Sequence, residues 1–147
     1  MNDQQVVLEG GCLCGDIRYR CTKSPVFVGH CHCKRCQRHS GALFATDVGL
    51  PVDGFTWLCL QGKPTYWLSS NALERGFCSN CGSTISNRYF DDSSFLVIPV
   101  GSLDDPERVK PEFHIMTESQ VSWLKIDDNL PRYPRFDPEA GHLDPGL

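Results

Sequence analysis

His30–Gly41, HCHCKRCQRHSG, places Cys31, Cys33 and Cys36 within six positions. Thiols that close can all reach one ion. Cys33 and Cys36 form the tight Cys-x-x-Cys clasp of zinc sites, and Cys31 returns to the same ion from an extended approach. His30, His32, Lys34, Arg35, Arg38 and His39 flank the sulfurs. Positive charge at that density lowers thiol pKa and favours the thiolates that a metal needs. A single helical turn is expected from Lys34 to His39, ended by Gly41.

Two further cysteine pairs lie on either side. GGCLCG, residues 10–15, carries Cys12 and Cys14, and RGFCSNCGSTI, residues 75–85, carries Cys78 and Cys81. Two cysteines one residue apart on a flat strand point to opposite faces, so Cys12 and Cys14 act together only where the chain bends. Gly10, Gly11 and Gly15 free the backbone to do so. The second pair is a zinc knuckle in form, with Gly82 allowing the turn that aims backbone amides at sulfur. Four sulfurs from two distant clasps make a closed tetrahedral structural site, which stabilises a fold by about 10 kcal/mol or more in small zinc modules.

Cys31, Cys33 and Cys36 supply only three sulfurs. Three protein ligands with an open fourth position is the arrangement of a catalytic metal. The assignment requires that no other side chain close the second site. Cys21 falls on the inward register of a strand and Cys59 sits between Leu58 and Leu60, so both read as small buried apolar residues. His30 and His32 compete for the fourth position, and His32, between two ligating cysteines, is expected to point away.

The rest of the chain reads as β. Val6–Glu9 and Asp16–Cys21 are expected strands, the second with Ile17, Tyr19 and Cys21 inward and Arg18 and Arg20 outward. SPVFVG is short and extended. ALFATDVGL, FTWLCLQG, PTYWLSS and SFLVIPVGSL follow, punctuated by Pro51, Gly54, Gly62 and Pro64 in the rhythm of a curled antiparallel sheet. From Pro111 the chain reads as an arm that wraps the body, with only ESQVSWLKI long enough for a short helix or strand.

A length of 147 residues suits one domain with a real core. With 22% charged residues and a net charge of −4, the chain has no bulk positive field, and no nucleic-acid partner is expected. Nine cysteines are an odd number in a chain of this length, which argues against a disulfide scaffold. No basic, apolar leader opens the chain and no apolar run nears the roughly 18 residues of a membrane span. No membrane partner is expected, and a reducing cytoplasm is the expected compartment.

Charge suggests the chemistry. Three thiolates on Zn²⁺ leave a net −1 complex, a poor Lewis acid for activating water. Such a centre is suited to holding a further thiol as thiolate and presenting it to an electrophile, so a thiol and a small carbonyl are the expected substrates. Arg35 and Arg38 would offset the negative complex and hold substrate carboxylates. His114, between Phe113 and Ile115, or His39 is the candidate acid that protonates the alkoxide.

GGCLCG, HCHCKRCQRHSGALF, RGFCSNCGS and the late HI…W…DDNLPRYP, taken together over roughly residues 8 to 134, resemble the family of glutathione-dependent formaldehyde-activating enzymes and centromere protein V. The order and spacing of three cysteine motifs carry the likeness. It implies one domain over residues 1–147, with a core of about 8–134 and a C-terminal arm of about 111–147. The implied fold is Mss4-like: mainly β, coiled antiparallel sheets with zinc sites and little helix. It also implies two zinc ions per chain, a structural one on Cys12, Cys14, Cys78 and Cys81 and a catalytic one on Cys31, Cys33 and Cys36, in agreement with the spacing. The implied activity is that of a carbon–sulfur lyase, which joins formaldehyde to glutathione as S-hydroxymethylglutathione.

No glutathione-binding signature is legible in the motifs, so another thiol, aldehyde or imine is an alternative substrate. A second alternative is a binding module of the Mss4 type, in which zinc only braces an interaction surface. A methionine sulfoxide reductase is a weaker match, because no cysteine follows Cys81.

Overall fold

The computed structural model describes residues 7–59 and 63–136. Among them ten strands and one α-helix follow in the order β1 (Leu8–Gly11), β2 (Arg18–Cys21), β3 (Phe27–Cys31), α1 (Lys34–Ser40), β4 (Ala45–Pro51), β5 (Phe55–Trp57), β6 (Thr65–Leu68), β7 (Leu73–Phe77), β8 (Thr84–Tyr89), β9 (Phe95–Pro99) and β10 (His114–Ile115). β1, β2 and β5 form a small sheet, and the others a seven-stranded sheet in the order β10-β3-β4-β9-β8-β7-β6. The chain is mainly β with little helix, the expected class. Neighbours pair antiparallel except at the edge, where β10 runs parallel to β3.

Strand alternation gives the large sheet two unlike faces. Val28, Val48, Leu50, Ile85 and Ile98 point to one face and pack with Leu8, Tyr19 and Cys21 of the small sheet in the main core. The pairing Gly29↔Asp47 and the chain of pairs Gly49↔Val97, Val97↔Asn87 and Asn87↔Arg75 define the other face. Cys31 lies two residues beyond Gly29 on that same face. The first face is sealed and apolar. The second carries polar groups and is covered by α1 and the C-terminal arm.

The arm is sewn on through the backbone. Glu112 N–H donates to Val28 O, His30 N–H to Phe113 O and His32 N–H to Ile115 O. The chain then returns outside β10, where His114 N–H donates to Pro131 O and Tyr133 N–H to His114 O. Residues 137–147 of the expected arm lie outside the described residues.

Three local expectations change. The single turn at Lys34 becomes a seven-residue helix, because Cys33 caps its start and Gly41, in the left-handed region at φ 72°, closes its end with an N–H to Gln37 O. ESQVSWLKI is neither helix nor strand. A 3₁₀ turn ends at Ser119, Gln120 Nε2 donates to Leu124 O, and Trp123 is exposed. β1 begins at Leu8, and Val6, Leu60 and Gly62, named in the sequence reading, lie outside the described residues.

Gly29 is required by packing rather than by its backbone angles. A Cβ there would stand 2.2 Å from the Phe113 ring, which the arm lays across β3. Gly29→Ala is expected to push Phe113 outward and destabilise the protein by about 1–3 kcal/mol, as overpacking of a core does. Urea unfolding measures it, and an unchanged midpoint would mean that the arm is not packed as described.

Candidate functional site

Cys12, Cys14, Cys78 and Cys81 come together from the β1–β2 and β7–β8 connections, with sulfur atoms within 4.8 Å of one another. Gly15 at φ 84° and Gly82 at φ 77° make the two turns. Ile17 N–H donates to Cys12 Sγ at 3.3 Å, and Leu13 N–H donates to Ser83 Oγ at 3.1 Å, tying one clasp to the other. The Ser83 hydroxyl and N–H pull the Cys81 thiol down to about 5. Cys12 and Cys14 sulfurs lie 3.6 Å apart, and those of Cys14 and Cys78 3.8 Å apart. Four sulfurs at a zinc–sulfur bond of about 2.3 Å have tetrahedral edges of about 3.8 Å, so the donor set fits a zinc ion.

Cys31, Cys33 and Cys36 form a second cluster with the same 4.8 Å limit, and among the described residues no fourth Cys, His, Asp or Glu atom joins it. Cys31 ends β3, Cys33 is the N-cap of α1 and Cys36 lies in its first turn. The Cys33 sulfur accepts the Cys36 N–H at 3.2 Å. Hydrogen bonds from the Cys31 and Cys36 thiols and from that N–H pull Cys33 well below its ordinary value. Donor type and backbone support fit a soft cation here too. Cys21, fully buried in the main core, and Cys59, packed against it, belong to neither sulfur cluster.

The three-cysteine cluster opens onto the polar face of the large sheet. A cavity of about 50 Å³ is lined by His30, Cys31, Cys36, Asp47, Arg75 and Asn87, with Phe27, Phe113 and Ile115 among its apolar walls. A second, of about 190 Å³, shares Cys36, Asp47, Arg75 and Asn87 and adds His39 and Phe44. Burial pushes the Asp47 carboxyl up to about 7, against the pull of Arg75. Burial, with Arg75 adding to it, lowers His39 to about 4. At neutral pH the His39 imidazole is uncharged.

The family profile for glutathione-dependent formaldehyde-activating enzymes matches residues 7–119, which include all seven clustered cysteines. The chain belongs to this family. A protein of Halomonas elongata named "Putative glutathione-dependent formaldehyde-activating enzyme" is 28% identical over 131 residues, covering 83% of this chain and 82% of the relative. A crystal structure of a Rhodobacter sphaeroides protein superposes with a TM-score of 0.55 and 17% identity over 70% of this chain and 91% of that one. At that identity the likeness shows the fold alone.

In this member of the glutathione-dependent formaldehyde-activating family, the structure distributes the remaining sequence candidates unevenly. Arg35 donates to Ser69 O at 2.8 Å and Arg38 is exposed, and neither lines the two cavities. The cavity cation is Arg75, which the sequence reading missed together with Asp47 and Asn87. Their signal is a charged or amide side chain at the same strand parity as buried apolar neighbours, as in Leu73-x-Arg75. No helix of the described residues is long and apolar enough to cross a membrane.

His114 is fully buried, and both its ring nitrogens are engaged: Nδ1 with His32 Nε2 at 2.8 Å and Nε2 with Asp128 Oδ2 at 2.6 Å. Its ring stacks on His30, whose Nδ1 meets Thr46 Oγ1. His32 therefore does point away from the sulfurs, toward the arm. Asp128 accepts on one oxygen from the ring and on the other from Leu130 N–H. Asp128→Asn is expected to weaken this anchor and lower stability by about 1.5–3 kcal/mol, the range of hydrogen bonds to charged groups. An unchanged denaturant midpoint would show that the anchor carries nothing.

Proposed function

We propose that this chain is a zinc-dependent carbon–sulfur lyase that joins a thiol such as glutathione to a small aldehyde such as formaldehyde, giving an S-hydroxymethyl thiol. One observation carries the reading: seven clustered cysteines divide into a closed set of four and an incomplete set of three, and the incomplete set faces a cavity. Family membership supports it. On this reading each chain holds two zinc ions, a structural one on Cys12, Cys14, Cys78 and Cys81 and a catalytic one on Cys31, Cys33 and Cys36. Free thiols in that number suit the reducing cytoplasm.

Cys31, Cys33 and Cys36 would hold the catalytic zinc, which would supply a soft open position favouring a further thiol as thiolate near neutral pH. The protein's own groups do the rest. The cavity beside Cys31 and Cys36, with Phe27, Phe113 and Ile115 among its walls and Arg75 and Asn87 as polar groups, has room for a small carbonyl compound. The substrate sulfur attacks the carbonyl carbon, the carbon–sulfur bond forms, and the carbonyl π pair moves to oxygen. The proton lost by the thiol ends on that oxygen. His39, at the wall of the adjoining cavity, is the imidazole placed to relay it. His114, with both nitrogens bonded beneath the site, instead positions β10 and His30.

Cys36→Ser is expected to abolish S-hydroxymethyl thiol formation while leaving the four-sulfur site and the far-ultraviolet circular dichroism intact. Turnover surviving that change would discard the assignment. His39→Asn should lower kcat by about 100-fold, the lower range for loss of a general acid–base, with little change in KM for the thiol. A kcat equal to wild type would remove His39 from the reaction.

A further inference from the structure

Arg75 stands at the centre of β7, opposite Asn87 of β8, on the polar face of the large sheet. Its side chain is 3% exposed, Nε donates to Ser69 Oγ at 3.0 Å, and Nη2 has no hydrogen-bond partner. Arg75 makes no ion pair among the described residues; Asp47, which lines both cavities with it and feels its charge, is not hydrogen-bonded to it. An unmade hydrogen bond from a buried guanidinium costs about 1–3 kcal/mol or more. Such a donor is kept in a folded protein where something else accepts from it. Arg75 lines both cavities, and these meet at Cys36, Asp47, Arg75 and Asn87, beside the three sulfurs.

We propose that the free Nη2–H of Arg75, with the Asn87 side chain beside it, receives the carbonyl oxygen of the small aldehyde and stabilises the negative charge that develops there as sulfur adds to carbon. The inference rests on the reading of the chain as a thiol–aldehyde lyase. Its physical basis is that a fixed donor in a dry site, aimed where charge appears, stabilises the transition state without reorganising. Ser69 supplies the fixing. Its hydroxyl holds Arg75 Nε, its carbonyl accepts from Arg35 and its N–H donates to Leu73 O, so Arg35 acts on the cavity through Ser69. Two other uses of Arg75 are open to test: balancing the charge of the sulfur cluster, and anchoring a carboxylate of the thiol.

The test compares wild type, Arg75→Gln and Arg75→Lys in steady-state turnover of formaldehyde with glutathione and with the neutral thiol 2-mercaptoethanol, alongside zinc content and thermal midpoint. The expected result for Arg75→Gln is a kcat about 100-fold lower with both thiols, the size of losing one oxyanion donor, with unchanged thiol KM and unchanged zinc. Arg75→Lys should recover part of the rate. Loss of zinc from Arg75→Gln would assign the residue to charge balance, and a defect confined to KM for glutathione would assign it to anchoring the thiol; either overturns the proposal. A second readout needs no turnover: in nitrogen–proton spectra, formate should shift the Asn87 side-chain amide of wild type but not of Arg75→Gln. Formate shifts in a protein that turns over no thiol would overturn the lyase reading and leave the oxygen subsite standing. Turnover with no formate shift and no effect of Arg75→Gln would overturn the subsite alone.

Discussion

The hydrogen bond from Cys36 N–H to the Cys33 sulfur joins helix formation to the sulfur cluster, and the site depends on it. A thiol is a weak acceptor, and helix starts ordinarily use Ser, Thr, Asp or Asn. A thiolate at that position is charged, and a helix N-terminus favours negative charge. The same electron density that starts α1 is therefore what a cation would bind. α1 is too short to be stable alone, so its place over the sheet is set by its cap, by Gly41 and by Cys36 packing against Ile115 and Met116.

Seen from the sheet, the site follows from alternation. Val48, Leu50 and Ile98 take one parity and bury the main core. Asp47, Gly49 and Val97 take the other, with Gly29, Asn87 and Arg75 across the pairings. A single-faced core would leave this second face to water. The arm supplies Phe113 and Ile115 and α1 supplies Cys36, turning an open face into a small, largely apolar chamber with a few polar groups. Reactive chemistry needs that exclusion of water, because charge–dipole interactions weaken in high dielectric.

The cysteine partition was legible in the sequence because spacing constrains sulfur geometry strongly: Cys-x-x-Cys beside a glycine, or Cys-x-Cys between glycines, leaves few backbone paths. Strands were legible to within a few residues, since Ile17, Tyr19 and Cys21 alternate against Arg18 and Arg20. The parallel β10 was not, because a two-residue strand has no period to read and its pairing with β3 is decided by Phe113 packing over Gly29. Arg75 was missed because it lies just before a cysteine motif and its meaning depends on a partner across β8. Arg35 and Arg38 drew attention by proximity in sequence, yet a helix turns adjacent side chains in different directions, and these two face away from the cavity while Cys36 faces it.

The central claim is that one metal is fully enclosed by side chains while the other keeps a coordination position for substrate. Visible absorption of the cobalt-substituted protein during a glutathione titration tests it most directly, since thiolate-to-cobalt bands report each added sulfur ligand. The account predicts two cobalt ions per chain, with one ion's spectrum gaining thiolate intensity at saturation and the other's unchanged. A spectrum indifferent to glutathione, or a protein that binds a single cobalt ion, would contradict it.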